Sequence, residues 1–246
     1  MKLLNIITNI YLYFIFVIFI LLIDNTGYYN ILEFKWNIYI YVSVIYILVI
    51  FIISIFIILN HSIIINEIKL SKIHLFALAY IFIIIISCLL SPYKGYNIFI
   101  GSSRMQGLIV NIIYVISFIV VSLTYKFDKK IIYVILISSI IMGILIILQK
   151  LEYNPFNIYK DIKNDIFYGT IGNVDTIGLL YTMYIVLGIS LYIFIDKIIN
   201  KFYIFISIVF SLIVMIIINV LNMYVTLLII MFFKLLLKDL LMGCIF

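Results

Sequence analysis

Long apolar runs, separated by short gaps that carry lysines, dominate the chain. About 20 residues of α-helix cross a bilayer core of roughly 30 Å. Uncharged runs of about that length cover 3–23, 37–59, 73–90, 108–125, 131–149 and 176–195. The pattern therefore predicts six transmembrane helices in the first 200 residues.

The last uncharged run, 202–233, is too long for one ordinary crossing, because it would form a helix of about 48 Å. Asn219 and Asn222 predict a break within it, which gives a seventh helix and an eighth. Backbone polar groups must be shielded from lipid, so the helices are expected to form one bundle. We predict an all-α, polytopic transmembrane helix bundle of about seven or eight helices, as a single membrane domain over residues 1–246.

Composition excludes a water-soluble protein, since 67% of the residues are hydrophobic, 11% are charged and the mean hydropathy is +1.37. The net charge of +6 comes from lysines scattered through the gaps, which indicates membrane topology and no nucleic-acid partner. With the N-terminus inside, eight basic residues lie on the cytoplasmic side and six outside. We predict a multi-pass protein of the cell membrane with a cytoplasmic N-terminus.

No predicted span carries a charged residue in its middle, which argues against a proton relay or an ion pathway. Cys88 and Cys244 lack the spacing of a metal site. His61 and His74 flank a predicted cytoplasmic gap and are interpreted as loop or interfacial residues. The sequence therefore predicts neither a metal site nor a cofactor.

The gap 91–107 differs from the others, because it combines a proline, three glycines and the only arginine of the chain. Pro92 is expected to end the preceding helix, and Gly101 and Gly107 to allow backbone conformations or close approaches that a Cβ would hinder. The guanidinium of Arg104 matches phosphate oxygens as a planar fork of donors. The alternative is an interfacial arginine that reaches the lipid headgroups.

The gap 150–176 ends in a second glycine-rich segment, in which Gly169 and Gly172 predict a tight turn just before a hydrophobic helix. Free N–H groups at such a helix start can receive an anion, with Asn173 as a side-chain donor and cap. An ordinary helix start capped by Asp175 or Thr176 is the alternative.

Three short motifs resemble the bacterial O-antigen ligase and O-antigen polymerase family: L-S-P at 90–92, G-S-S-R-M-Q-G at 101–107 and G-T-I-G-N at 169–173. The resemblance covers residues 70–200. Gln106 stands where the family usually has Glu, and Val174-Asp175 where it has Pro-Asn. The family continues through further helices and a large extracytoplasmic loop, so the resemblance implies the N-terminal half of such a protein, truncated before that loop.

The resemblance implies part of a C-type glycosyltransferase fold, which transfers a glycan from an undecaprenyl-diphosphate carrier to an acceptor without a nucleotide sugar or an obligatory metal. Arg104, Lys94 and Asn173 would bind the donor diphosphate, and no catalytic residue is assigned in this chain. The implied partners are the lipid bilayer, the lipid-linked glycan and other proteins of cell-envelope assembly. The alternative is a non-catalytic membrane protein, such as a small transporter or the membrane subunit of a complex.

Overall fold

A computed structural model of the chain describes residues 2–24, 27–60, 71–92, 95–101, 105–154, 156, 169–194 and 198–231. Every regular element in these ranges is helical, which confirms the all-α prediction. Residues 61–70 and 157–168, which belong to two of the predicted gaps, lie outside the described residues.

The described helices follow the apolar runs of the sequence closely. In chain order they are α1 Lys2–Leu21, α2 Ile31–Asn60, α3 Lys72–Leu90, α4 Tyr96–Phe99, α5 Leu108–Thr124, α6 Lys129–Lys150, α7 Val174–Phe194, α8 Ile198–Ile218 and α9 Leu221–Met231. Single polar side chains fix some boundaries. Asp128, for example, caps α6 by accepting a hydrogen bond from the Lys130 backbone N–H at 3.0 Å.

Six of the described helices are long and apolar enough to cross a membrane, namely α1, α2, α3, α6, α7 and α8. This confirms a multi-pass membrane protein at the level of helix length and composition. The 17 residues of α5 span about 25 Å, the lower limit for a crossing. Helix α9 is shorter, so the count of seven or eight spans stays a prediction, as do the cytoplasmic N-terminus and the likeness to a C-type glycosyltransferase.

The chain divides into two compact units. The first contains Met1–Ile15 and Leu32–Phe127, and the second contains Phe16–Ile31 and Asp128–Phe246. The boundary in α1 falls in a π-helical turn, Phe14–Ile18, where the regular hydrogen-bond ladder is interrupted. The single membrane domain predicted over residues 1–246 stays a prediction.

Buried hydroxyl groups join the helices of the first unit. Thr8 Oγ1 of α1 lies 2.6 Å from Thr124 Oγ1 of α5 and 3.1 Å from the Tyr46 hydroxyl of α2. One turn further along α1, the Tyr11 hydroxyl and Ser43 Oγ share a hydrogen bond of 2.9 Å. The Tyr11 and Tyr46 rings stack with their centroids 4.0 Å apart. Neutral hydrogen bonds are a common means of joining helices inside a membrane.

Small residues let the helices of the second unit approach closely. A Cβ on Gly143 of α6 would lie 2.5 Å from Phe210 Cε1 of α8, and a Cβ on Gly188 of α7 would lie 2.7 Å from Ile208 Cγ1. α8 therefore packs against both α6 and α7. The Tyr181 hydroxyl of α7 donates to the Ser139 carbonyl of α6 at 2.8 Å.

The long last run is interrupted at Asn219, as predicted from the sequence. α8 ends at Ile218 and α9 begins at Leu221. Asn219 adopts a left-handed backbone conformation with φ of +49°, which asparagine tolerates better than most residues. Helix α8 ends there because a left-handed residue cannot continue a right-handed helix.

Candidate functional site

The loop between α3 and α5 contains the first predicted motif and lies in the first unit. Helix α3 ends at Leu90, the backbone of Ser91 is extended, and Pro92 follows. A residue before proline is restricted to such extended conformations. Helix α3 thus ends two residues before Pro92.

At Gly101 and Gly107 two parts of this loop contact each other through backbone atoms, and we call this contact the neck of the loop. The N–H of Gly107 donates to the Ile100 carbonyl at 2.9 Å. A Cβ on Gly101, whose φ is +94°, would lie 2.6 Å from Gln106 N, and a Cβ on Gly107 would lie 2.5 Å from Gly101 N. These distances are too short for any side chain, since the blocking atoms belong to the backbone. The backbone therefore approaches itself closely at both Gly101 and Gly107.

Asn111, in the first turn of α5, attaches this neck to two helices. Its Nδ2 donates to the carbonyls of Gly107 at 2.9 Å and Gln106 at 3.2 Å. Its Oδ1 accepts a hydrogen bond from the Tyr80 hydroxyl of α3 at 2.9 Å. One amide group thus fixes the C-terminal side of the loop to both α3 and α5.

Arg104 and Lys94, the cations predicted to bind the donor diphosphate, lie outside the described residues. The described flanks of Arg104 are Gly101 and Met105, and Met105 has a left-handed backbone with φ of +50°. The diphosphate-binding role of both cations stays a prediction.

The second motif forms a tight turn before α7 in the second unit. Gly169 and Gly172 both have left-handed backbones, with φ of +61° and +86°. Asn173 Oδ1 accepts hydrogen bonds from the backbone N–H groups of Asp175 at 2.9 Å and Thr176 at 3.3 Å. Asn173 is therefore the N-cap of α7.

The alternative caps, Asp175 and Thr176, lie inside the first turn of α7 and do not cap it. Because Asn173 Oδ1 already accepts from their two N–H groups, an anion at this helix start would compete with it. The carboxylate of Asp175 also adds negative charge to this end of the helix. The donor role of Asn173 toward a diphosphate stays a prediction.

Gln149 and Tyr28 hold Gly169 through buried hydrogen bonds, and we call this group the clamp. It was not predicted from the sequence. Gln149 is 4% exposed at the end of α6, and its Oε1 accepts from the Gly169 N–H at 2.6 Å. Its Nε2 donates to the Tyr28 hydroxyl at 3.1 Å, which in turn donates to the Gly169 carbonyl at 2.8 Å. The only sequence signal was an isolated glutamine at the end of an apolar run.

The same turn is fixed at its next two positions. Thr170 Oγ1 donates to the Ile20 carbonyl, and it also lies 3.2 Å from Met142 Sδ. A Cβ on Gly172 would lie 3.1 Å from Tyr28 Cδ1, so the ring of Tyr28 packs directly on the glycine. The turn thus has one well-determined backbone shape.

Within the described ranges, no group of three or more His, Cys, Asp or Glu side chains is arranged to hold a metal ion. Comparison of the chain with protein-family models, with curated proteins and with solved structures finds no match. Membership of the O-antigen ligase and polymerase family therefore stays a prediction from the three motifs.

Proposed function

We propose that the chain is a membrane protein of surface-polysaccharide assembly and that its 91–107 loop binds the diphosphate of an undecaprenyl-diphosphate-linked glycan. In this proposal the chain takes part in transferring that glycan to an acceptor, as O-antigen ligases and polymerases do. The membrane-length helices support it, because the carrier lipid is confined to the bilayer.

The neck formed by Gly101 and Gly107 is the observation that carries the proposal. Both glycines belong to the motif that resembles the family, and at both positions backbone atoms leave no room for a Cβ. Asn111 holds the same neck through two carbonyls. A neck of fixed backbone shape suits a binding role, because a preorganised site loses less conformational entropy when its ligand binds.

The chemistry of transfer supports Arg104 as the principal diphosphate ligand. When the glycosidic bond to the carrier breaks, the diphosphate leaves with the bonding electrons, and cations stabilise the charge that develops. The acceptor hydroxyl loses its proton to a base as the new bond forms. We assign Arg104 and Lys94 to the diphosphate and assign the base to no residue of this chain.

The test is photo-crosslinking of the purified protein with a diazirine-bearing polyprenyl diphosphate, competed with undecaprenyl diphosphate. We expect Arg104→Ala to weaken competition about ten- to a hundredfold, because a charge-assisted hydrogen bond contributes roughly 1.5–3 kcal/mol. Arg104→Lys should lose much of the affinity, since a point charge cannot form a bidentate contact. Lys126→Ala, which removes a cation after α5, is the matched control and should bind as the native protein does.

An anchoring role for Arg104 gives a different result, because lysine also reaches the membrane interface. Native affinity of the Arg104→Lys variant at normal membrane abundance would contradict the phosphate-binding role. Crosslinking that undecaprenyl diphosphate does not reduce would contradict the proposal as a whole and favour a non-catalytic membrane protein.

A further inference from the structure

Helices α1, α2 and α5 of the first unit line an apolar cavity of about 310 Å³. Of its eleven described lining residues, all but Ser54 and Thr124 have hydrocarbon side chains. Leu4 and Ile50 are 6% and 5% exposed, whereas Phe51 is 61% exposed. The cavity thus has a buried inner wall and an exposed rim, through which it is open to the outside of the unit.

The lining determines what can occupy the cavity. Thr124 Oγ1 donates to the Val120 carbonyl at 2.7 Å, so this hydroxyl is satisfied within its own helix. An apolar cavity of about 150 Å³ in a soluble protein stays dry and accepts an apolar ligand, and this cavity is about twice as large. If it stayed empty, its lining atoms would lose dispersion contacts. In a membrane, the hydrocarbon chain of a lipid can supply those contacts.

The cavity lies toward the end of α5 that is opposite to the neck. Helix α5 begins at Leu108, beside the neck, and its last residue, Thr124, lines the cavity about 24 Å further along the helix. From the first turn of α1, Leu4 lines the cavity, and Asn5 Oδ1 accepts a hydrogen bond from the Lys126 backbone N–H at 2.7 Å. The start of α1 and the end of α5 therefore meet beside the cavity.

Two exposed lysines lie next to the lining. Lys2, at the start of α1, and Lys126, just after α5, are each two positions from a lining residue. The sequence of the adjacent gaps keeps the excess of positive charge, because 61–70 contains one carboxylate and one lysine, and 127–130 contains one carboxylate and two lysines. Lysines close to a membrane surface attract anionic lipid headgroups.

A third lysine belongs to the same end, because α3 is joined to α5 there. His74 is 6% exposed in the first turn of α3, so it is not the loop or interfacial residue that the sequence indicated. Its Nε2 lies 2.6 Å from Ser122 Oγ, near the end of α5. Lys72, the first residue of α3, is exposed. Among the described residues of the first unit, three exposed cations thus lie at this end.

We propose that the cavity holds an acyl chain of an anionic phospholipid, whose phosphate lies against Lys2 and Lys126. Transfer of the chain from bulk lipid brings little hydrophobic gain, because lipid tails are as apolar as the lining. The cations therefore determine which lipid is held, and they favour an anionic headgroup over a zwitterionic one. In the predicted orientation this end faces the cytoplasm, where the leaflet carries anionic lipids. This inference does not depend on the proposed function.

The experiment is photo-labelling of the full chain in phosphatidylcholine nanodiscs by phosphatidylglycerol that has a diazirine on its acyl chain. Peptide mass spectrometry then identifies the labelled residues, and labelling of the exposed face of α3 measures nonspecific contact with lipid. We expect selective labelling within 47–58 and 116–124, and its loss when phosphatidylcholine carries the same diazirine chain. Lys126→Gln should raise the phosphatidylglycerol concentration for half-maximal labelling about fivefold, the effect of one lysine near an anionic lipid.

Val120→Phe is the variant that fills the cavity, because Val120 lines it. Val121→Phe is the matched control, since Val121 is the next residue of α5 and does not line the cavity. We expect the selective labelling to be lost in the first variant and retained in the second. Where Val120→Phe is not recovered from membranes, Lys126→Gln still tests the site, because it changes only an exposed side chain.

Three results would overturn the lipid site. The first is equal labelling by the two diazirine lipids, and the second is labelling that Val120→Phe or Lys126→Gln leaves unchanged. The third is a native protein whose lining residues are not labelled, as expected if a partner protein or another part of the chain fills the cavity. Competition by undecaprenyl phosphate but not by unlabelled phosphatidylglycerol would equally overturn it, because the occupant would then be a prenyl chain.

Discussion

Gln149 and Tyr28 show how single side chains determine the shape of a turn in the second unit. Gln149 is buried, and its amide both accepts from Gly169 N–H and donates to Tyr28. Replacing it with an apolar residue would leave a buried backbone N–H without its partner. Such a loss costs more than the hydrogen bond itself contributes, because the free group is no longer solvated.

We therefore expect Gln149→Leu to lower the free energy of unfolding by about 1–3 kcal/mol. Gln106→Leu is the matched control, since Gln106 has an exposed side chain and the change should be small. Unfolding of the purified variants by SDS titration in mixed micelles measures both. Tyr28→Phe combined with Gln149→Leu should be less destabilising than the sum of the two, because they share one network. Strict additivity would show that the clamp does not act as a unit.

Residues whose roles depend on neighbours in sequence could be predicted, whereas long-range partners could not. Pro92 ends a helix and Asn173 caps one because each acts on the few residues that follow or precede it. Tyr28 and Gly169 are 141 positions apart, and His74 and Ser122 are 48 apart. A single sequence contains no signal that joins such pairs, so these two contacts appear only in the folded structure.

At the scale of elements, the break between α8 and α9 depends on one residue. Asn219 is exposed and left-handed, so its conformation rather than its contacts determines whether it is tolerated. Asn222 provides a matched position, because it is exposed and lies within α9.

We expect Asn219→Val to destabilise the protein by about 1–2 kcal/mol, since a β-branched residue is strained in the left-handed region. Asn219→Gly should be neutral or slightly stabilising, and Asn222→Val should change stability by much less. Thermal unfolding followed by circular dichroism compares the three. Equal losses at positions 219 and 222 would mean that the backbone strain is not what matters.

At the scale of the whole molecule, apolar patterning predicted where helices lie but not how they divide into units. The predicted runs match α1 to α3 and α5 to α8 because a helix in a bilayer is selected by the length of its uncharged run. The division into two compact units reflects which helices lie close together, which the isoleucine-rich runs do not specify. The one-turn helix α4 was likewise missed, because it is short and lies within a loop.

Orientation across the membrane is a prediction for the whole molecule. We expect a Ser102→Cys variant, with Cys88 and Cys244 replaced by alanine, to react with an impermeant maleimide in intact cells. Phe127→Cys, between α5 and α6, should react only after permeabilisation, because the adjacent lysines favour the cytoplasm. The opposite pattern would place the N-terminus outside and contradict the proposed role of the 91–107 loop.

The hydroxyl groups in the described part of the first unit have a consequence for how the chain is made. Thr8 and Thr124 each donate to a carbonyl four residues earlier in their own helix, at 2.9 and 2.7 Å, as well as lying against each other. A hydroxyl that is satisfied within its own helix imposes little penalty on a segment that enters the bilayer alone. Helices α1 and α5 can therefore leave the translocon separately, and the contact between the two hydroxyls can form afterwards within the membrane while each keeps its bond to its own helix.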